Sequence, residues 1–286
     1  DTFGGTYVAV AALVYCLQLY GGFSGGIDIA TGAAQIFGVD LEKNFERPYL
    51  ATSIPDFWRR WHITLGAWFR DYVFYPLSLS KFFTKVGKKG RQVLGNYIGK
   101  MLPVLIPQFI IFFLIGIWHG AEWKYIAFGF YNGTLIVLGI LFEEPLRNLA
   151  EKLHINTKCF SWHLFQILRT LVLVALGKII TRAAGFSISV SMMHSMIVNW
   201  DTDILFNGGL LQLGMDSKDL WVLVLASLVL LAVSIMQECG IKVRETLAKQ
   251  NLYFRWAVYL CAVFSLIIFG VYGLNYNAAD FIYRGF

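Results

Sequence analysis

Residues 47–75 read RPYLATSIPDFWRRWHITLGAWFRDYVFY and place charged side chains among aromatic ones in a chain that is otherwise mostly apolar. We call this stretch the basic aromatic block. Its tryptophans and polar side chains include Trp58, Trp61, Trp68, Asp56, Arg59, Arg60, His62, Arg70 and Asp71. A polar side chain in an apolar environment is costly, and it marks either a functional site or a buried pair. We therefore expect the functional centre here, and we expect it to meet the short motif Trp118-His119-Gly120 further along the chain.

The composition predicts an all-α, polytopic protein of the cell membrane. Of 286 residues, 57% are hydrophobic and only 15% are charged, whereas soluble domains carry roughly 25% charged residues. The net charge of +6 is interpreted as basic cytoplasmic loops and not as nucleic-acid binding. The four cysteines lie far apart in the sequence and form no CxxC motif, so no metal or disulfide framework is expected.

Apolar runs alternate with charged segments along the whole chain. The apolar runs are residues 7–20, 101–118, 125–142, 160–180, 220–236 and 256–274. The segments between them are basic or mixed at 81–100, 143–158 and 242–255, and acidic at 183–219. Basic segments stay on the cytoplasmic side of a membrane. The pattern predicts one transmembrane domain over residues 1–286, with cytoplasmic loops at the basic segments and a surface helix over 187–200.

Two local patterns predict where helices begin. The glycines in residues 21–26 predict a break after the first apolar run, followed by a helix from Asp28. Asp28 either caps that helix or pairs with an arginine of the block, and both interpretations stay open. Ser53 and Pro55 predict the start of a second helix. Helical spacing would then place Trp58, Trp61, Leu65 and Trp68 on one face of it.

His119 is the strongest single candidate for chemistry. An imidazole can accept the proton of an attacking hydroxyl near neutral pH, although a hydrogen-bonded core histidine is the simpler interpretation. Glu122 has the spacing to share a metal with His119, but no second ligand pair exists, so no metal site is expected. Asn132 would orient a substrate or form an interhelical hydrogen bond. Because the chain contains no P-loop and no GxSxG in a strand-to-helix context, direct group transfer is favoured over a covalent enzyme intermediate.

Several motifs, in order, resemble the membrane-bound O-acyltransferase (MBOAT) family, and in particular its bacterial alginate O-acetylation and teichoic-acid D-alanylation branch. These motifs are Phe23-Ser24-Gly25 with Asp28, Asn44-Phe45-Glu46-Arg47-Pro48-Tyr49, Phe57-Trp58-Arg59-Arg60-Trp61-His62, Trp68-Phe69-Arg70-Asp71-Tyr72 with Pro76, Trp118-His119-Gly120, and the ending Asp280-Phe281-Ile282-Tyr283-Arg284-Gly285-Phe286. The resemblance covers most of the chain. Members of the family usually carry further helices upstream, so the resemblance also implies a chain that lacks them.

The resemblance implies a ring of helices around a funnel and tunnel, with His119 as the catalytic histidine and His62 as the second motif histidine. The residues that it implies along the tunnel are Trp58, Arg59, Arg60, Trp61, Trp118, Asn132, Arg70, Asp71 and Asp28. It implies an acyl donor on the cytoplasmic side, such as acetyl-CoA or an acyl-carrier protein, and no permanently bound cofactor. It also implies a hydroxyl acceptor on an extracytoplasmic polysaccharide and an extracytoplasmic partner transferase.

Three alternatives remain at the level of the sequence. The transferred group could be D-alanyl or another acyl group carried to a cell-wall polymer. The protein could instead be a transporter or export scaffold that moves an acyl donor or a polymer, because intramembrane histidines and arginines also suit a permeation path. It could also be an inactive remnant of a longer enzyme.

Overall fold

The computed structural model describes residues 4–270, which are mostly helical and divide into two compact units, one up to Trp200 and one from Asp201 onward. The helices of the first unit are α1 (Gly5–Ile36), α2 (Ile54–Arg60), α3 (Ile63–Phe69), α4 (Tyr75–Ser78), α5 (Lys81–His119), α6 (Trp123–Lys152), α7 (Phe160–Arg182) and α8 (Phe186–Val198). The second unit contains α9 (Ser217–Glu238), α10 (Val243–Ala248) and α11 (Leu252–Phe269). Within residues 4–270 the only strand-like pairing is a bridge between Phe45 and Trp61. The all-α prediction is confirmed.

Six helices are long and apolar enough to cross a membrane: α1, α5, α6, α7, α9 and α11. Each has at least 18 residues, and a span needs about 20. Five of the six predicted apolar runs fall within one of these helices, and the sixth, 256–274, continues past the end of α11 at Phe269. The six helices confirm a multi-pass membrane protein. Residues 271–274 of the last predicted run, and the motif at 280–286, lie outside the described residues. The side of the membrane on which each loop lies stays a prediction.

The first helix corrects two expectations. Helix α1 continues from Gly5 to Ile36 without a break at the glycines, so Asp28 lies inside it and caps nothing. An apolar medium offers the backbone no water to bond with, so a glycine-rich segment there remains helical to satisfy its own amides and carbonyls.

The basic aromatic block forms two short helices, α2 and α3, where the sequence predicted a single helix. Ser53 caps α2 by accepting a hydrogen bond from the Asp56 amide at 3.2 Å, as expected, but α2 ends at Arg60. His62 then takes a left-handed conformation with φ 47°, and α3 begins at Ile63. The prediction of one face for the tryptophans is therefore wrong: Trp61 is 5% exposed, whereas Trp68 is 51% exposed.

Helix α5 corrects the prediction of a basic loop. Residues 81–100 are helical, with their lysines on the exposed surface, so the charges do not oppose the helix. Two helical segments meet at Gly95, where φ is 83°, a value that glycine adopts without strain. The segments pack against each other, since a Cβ atom on Gly87 would lie 2.7 Å from the Pro103 side chain. Helix α6 likewise runs to Lys152, into residues that were predicted as a loop.

Helices α5 and α6 pack closely through two glycines. A Cβ atom on Gly116 would lie 2.5 Å from the carbonyl oxygen of Tyr125, and one on Gly129 would lie 2.6 Å from that of Phe112. Small residues at such positions allow two helix backbones to approach each other. The approach sets the end of α5, which carries His119, against the face of α6 that carries Tyr125 and Phe128.

Candidate active site

Backbone hydrogen bonds between residues 44–46 and residues 60–63 hold His62 in place. The Glu46 amide donates to the Arg60 carbonyl at 2.9 Å, and the Ile63 amide donates to the Asn44 carbonyl at 3.0 Å. The Asn44 side-chain oxygen accepts from the Thr64 hydroxyl at 2.7 Å and lies 3.0 Å from His62 Nδ1. Asn44 therefore fixes the histidine ring. Sequence reasoning placed Asn44 in a motif but gave it no role, because its partners lie 18 and 20 residues away.

The His62 ring is partly buried, with the Phe23 ring edge-on at 4.9 Å between centroids. Burial lowers the pKa of His62 below its usual range, because an apolar surrounding disfavours the charged imidazolium. The folded protein therefore favours the neutral ring, in which one nitrogen donates a hydrogen bond and the other accepts one.

We expect the burial of His62 to make the folded protein less stable as the pH is lowered. A histidine whose pKa is depressed by folding binds protons more readily in the unfolded state, so its contribution is complete above about pH 6.5 and is lost as the pH falls through the folded pKa. His62→Asn keeps a side chain that tolerates the left-handed conformation but does not titrate. Thermal midpoints of the purified protein, measured from about pH 8 to about pH 5, should fall less in this variant than in the wild type. Parallel pH curves would contradict the burial effect.

Trp58 joins the block to helix α6. Its indole N–H donates to the Asn132 side-chain oxygen at 3.2 Å, and the Asn132 amide donates to the Phe128 carbonyl at 3.0 Å. The Trp58 ring also packs against Phe112 and Phe128, at centroid distances of 5.2 and 6.2 Å. Asn132 thus forms the interhelical hydrogen bond that was one of its two interpretations, and a role toward a substrate stays a prediction.

His119 is the last residue of α5 and is followed by Gly120 with φ 147°. Its ring lies between Trp118 at 4.8 Å, Phe128 at 5.8 Å and Tyr125 at 6.2 Å, measured between centroids. Phe128 therefore contacts both Trp58 of the block and His119. The two motifs meet through this one ring.

Lys178 is the residue that sequence reasoning missed. It lies on α7 and is 7% exposed, with its Nζ 4.9 Å from the centre of the Trp61 ring and 5.5 Å from the centre of the Phe128 ring. The apolar run 160–180 contains two cations, Arg169 and Lys178, and a charge inside an apolar span indicates function. The neighbours of Lys178 could not be read from the sequence because Trp61 comes from the segment that follows α2 and Phe128 comes from α6.

The other charged candidates pair locally. Asp56 lies 3.2 Å from Arg60 and 3.7 Å from Arg59, and Arg70 lies 2.8 Å from Asp71. The Arg70–Asp71 pair is exposed, and pairs of that kind contribute little to stability. Asp28 is exposed and forms no ion pair among the described residues, so its expected pairing with an arginine of the block is wrong for residues 4–270.

A cavity of about 380 Å³ lies between the block and helices α5 and α6. Five of the predicted site residues line it: Trp58, Arg59, Trp61, His62 and Arg70. The opposite wall includes Gln108, Ile111 and Ile115, and Ile115 precedes His119 by one helical turn. Trp118, by contrast, is 52% exposed and lies outside this wall. His119 itself does not line the cavity, whose wall ends one helical turn before it.

Comparison with known proteins agrees with this architecture. The sequence profile of the MBOAT, membrane-bound O-acyltransferase family, matches residues 3–94. That match contains the basic aromatic block and His62, whereas His119 lies beyond it.

Three curated relatives illustrate the similarity. The chain is 32% identical over 187 residues to the probable alginate O-acetylase AlgI of Pseudomonas syringae, which is 65% of this chain and 31% of the relative. It is 31% identical over 189 residues to the peptidoglycan O-acetyltransferase of Helicobacter pylori, or 66% of this chain and 31% of the relative. It is 35% identical over 132 residues to the teichoic acid D-alanyltransferase of Bacillus subtilis, or 46% and 30%. The matched regions therefore span about a third of each relative.

Proposed function

We propose that this chain is a membrane-bound O-acyltransferase that moves an acetyl group from a donor on the cytoplasmic side to a hydroxyl of an extracytoplasmic polysaccharide. The match of residues 3–94 to the profile of that family and the similarity to its curated relatives support the proposal. Two of the relatives carry names that specify O-acetyl transfer to envelope polymers. The observation that carries the proposal is the meeting of His119 with the basic aromatic block at Phe128, beside a cavity that reaches one turn from the histidine.

In this mechanism His119 is the general base. It takes the proton of the acceptor hydroxyl as that oxygen attacks the acyl carbonyl carbon, and a tetrahedral intermediate forms. The intermediate collapses with cleavage of the carbon–sulfur bond of a thioester donor, such as acetyl-CoA or an acyl-carrier protein. The departing thiolate then receives the proton from His119, so the residue returns to its initial state. General-base assistance of this kind contributes about 10²- to 10⁴-fold in rate.

The block would hold the donor and would not react with it. Trp58 is oriented by Asn132 and His62 by Asn44, so the wall of the cavity has fixed side chains before a substrate binds. A pre-organised wall lowers the entropic cost of placing the acyl carbonyl near the base. Arg59 is 73% exposed and is available to a donor phosphate at the cytoplasmic side.

The test compares a strain from which the native gene is deleted with the same strain after complementation. Surface polymer is extracted, treated with mild alkali, and assayed for released acetate and D-alanine, and total polymer is measured by its sugar content. We expect acetate ester to disappear on deletion and to return on complementation, with polymer content unchanged. Unchanged acetate ester in the deletion strain would refute the proposal.

Two alternatives give distinct results in the same assay. If D-alanine ester is lost and restored instead of acetate, the transferred group is D-alanyl, as the name of the Bacillus relative suggests. If the amount of surface polymer falls while its ester content per sugar stays constant, the protein acts in export and not in acyl transfer.

A further inference from the structure

Lys178 is a buried cation that the proposed chemistry does not use. Its side chain reaches from α7 to the rings of Trp61 and Phe128, at 4.9 and 5.5 Å from Nζ to the ring centres. Among residues 4–270 no carboxylate forms an ion pair with it. Cys16 on α1 and His119 are two titratable side chains that interact electrostatically with its charge. Neither is a carboxylate.

A charge in this position is costly to the fold. An ammonium group taken out of water loses its hydration, and the loss is recovered only where an anion and hydrogen bonds replace the water. Two aromatic faces offset part of that cost through cation–π attraction, but they supply no negative charge. An apolar side chain of similar length would fit the same space more cheaply.

The position of the Lys178 ammonium indicates where it can bind a negative charge. The Phe128 ring that Lys178 contacts also contacts His119, and the Trp61 ring lines the cavity. The ammonium is therefore placed at the junction of the block and the candidate base. A preorganised cation in a water-poor site binds negative charge far more strongly than one at the surface.

We infer that Lys178 is the anion-binding residue of the acyltransferase site and that its ammonium binds an anionic oxygen of the reacting substrates beside His119. This inference rests on the proposed function. The oxygen is either a standing carboxylate or phosphate of a substrate, or the carbonyl oxygen that becomes negative when the hydroxyl attacks. In both cases the substrate supplies the counter-charge that the described protein lacks.

The experiment compares Lys178→Met and Lys178→Arg with the wild type and with Lys152→Met, which makes the same chemical change at an exposed position on α6. Protein expressed from the native gene is purified into nanodiscs. Thermal midpoints are measured for all four, and transfer kinetics are measured with acetyl-CoA as donor and with polymer from the deletion strain as acceptor.

We expect Lys178→Met to unfold at the same temperature as the wild type or higher, because the uncompensated charge is gone, and yet to lose transfer. A fall in kcat of about 10²-fold or more at constant KM identifies the developing oxyanion. A rise in KM of about tenfold or more at constant kcat identifies a standing anion on a substrate. Lys178→Arg should retain part of the activity, and Lys152→Met should match the wild type.

Two results would overturn the inference. In the first, Lys178→Met is as active as the wild type. In the second, it unfolds at a clearly lower temperature or fails to fold, which would show that the lysine serves packing. If the wild type itself transfers no acetyl group from any donor offered, the proposed function fails. The thermal midpoints of Lys178→Met and the wild type then still show whether the buried charge destabilises the fold or stabilises it.

Discussion

The His119→Ala variant is expected to lose O-acyl transfer almost completely, with a fall in rate of about 10²- to 10⁴-fold. The imidazole is the only group at the end of α5 in the Trp118-His119-Gly120 motif that can take a proton from a hydroxyl. Its ring is set between Tyr125 and Phe128, so water has poor access to replace it. The measurement is initial-rate transfer in membranes with matched protein levels, with the ester on the polymer as the product.

The matched control is His163→Ala, which removes an exposed imidazole near the start of α7. That variant should transfer at the wild-type rate. His119→Gln provides a second check, because it fills most of the space but cannot act as a base. If both His119 variants are folded and retain wild-type rates, His119 is not the base, and the cavity beside it should be examined as a transport path.

The Gly129→Ala variant is expected to destabilise the first unit by about 1–3 kcal/mol, the usual cost of overpacking. A Cβ atom there would lie 2.6 Å from the Phe112 carbonyl oxygen. That oxygen belongs to the backbone of α5 and cannot turn aside as a side chain would, so the helices must separate. Their separation would also move Phe128 away from His119. We therefore expect a lower thermal midpoint together with reduced transfer.

Gly139→Ala is the control in the same helix. A Cβ atom at Gly139 would meet nothing within 4 Å, and alanine favours a helix over glycine by about 1 kcal/mol. That variant should unfold at the wild-type temperature or slightly above it. Equal effects of the two substitutions would show that helix propensity, and not the contact between α5 and α6, determines the result.

Local composition was enough to predict the long helices. Hydropathy and length located all six, and the motif Trp118-His119-Gly120 located the end of α5, because glycine after an apolar run is a local signal. Composition failed where a charge pattern suggested a loop, as at residues 81–100. Lysines on an exposed helix surface meet water as they would in a loop, so charge alone does not separate the two.

The sequence predicted several residues of the site but not the contacts that bring them together. His62, Trp58 and Trp61 were identified from the block, and they do line one cavity. The sequence suggested a helix through Trp61 and His62, whereas pairing with residues 44–46 draws those two residues out of it. That pairing depends on Asn44, whose contact with the His62 ring spans 18 residues and leaves no periodic signal.

The sequence by itself determined that this protein is helical, that it crosses a membrane several times, and that a histidine ends one of those helices, since hydrophobic length and glycine position act locally. Only the tertiary structure decided that Phe128 joins Trp58 to His119, that Asn44 fixes His62, and that Lys178 is buried against Trp61. Each of these contacts joins elements far apart in the chain. They depend on the close approach of α5 to α6 at Gly116 and Gly129 and on the position of α7 beside them, and packing geometry of that kind is a property of the whole fold and not of any one segment.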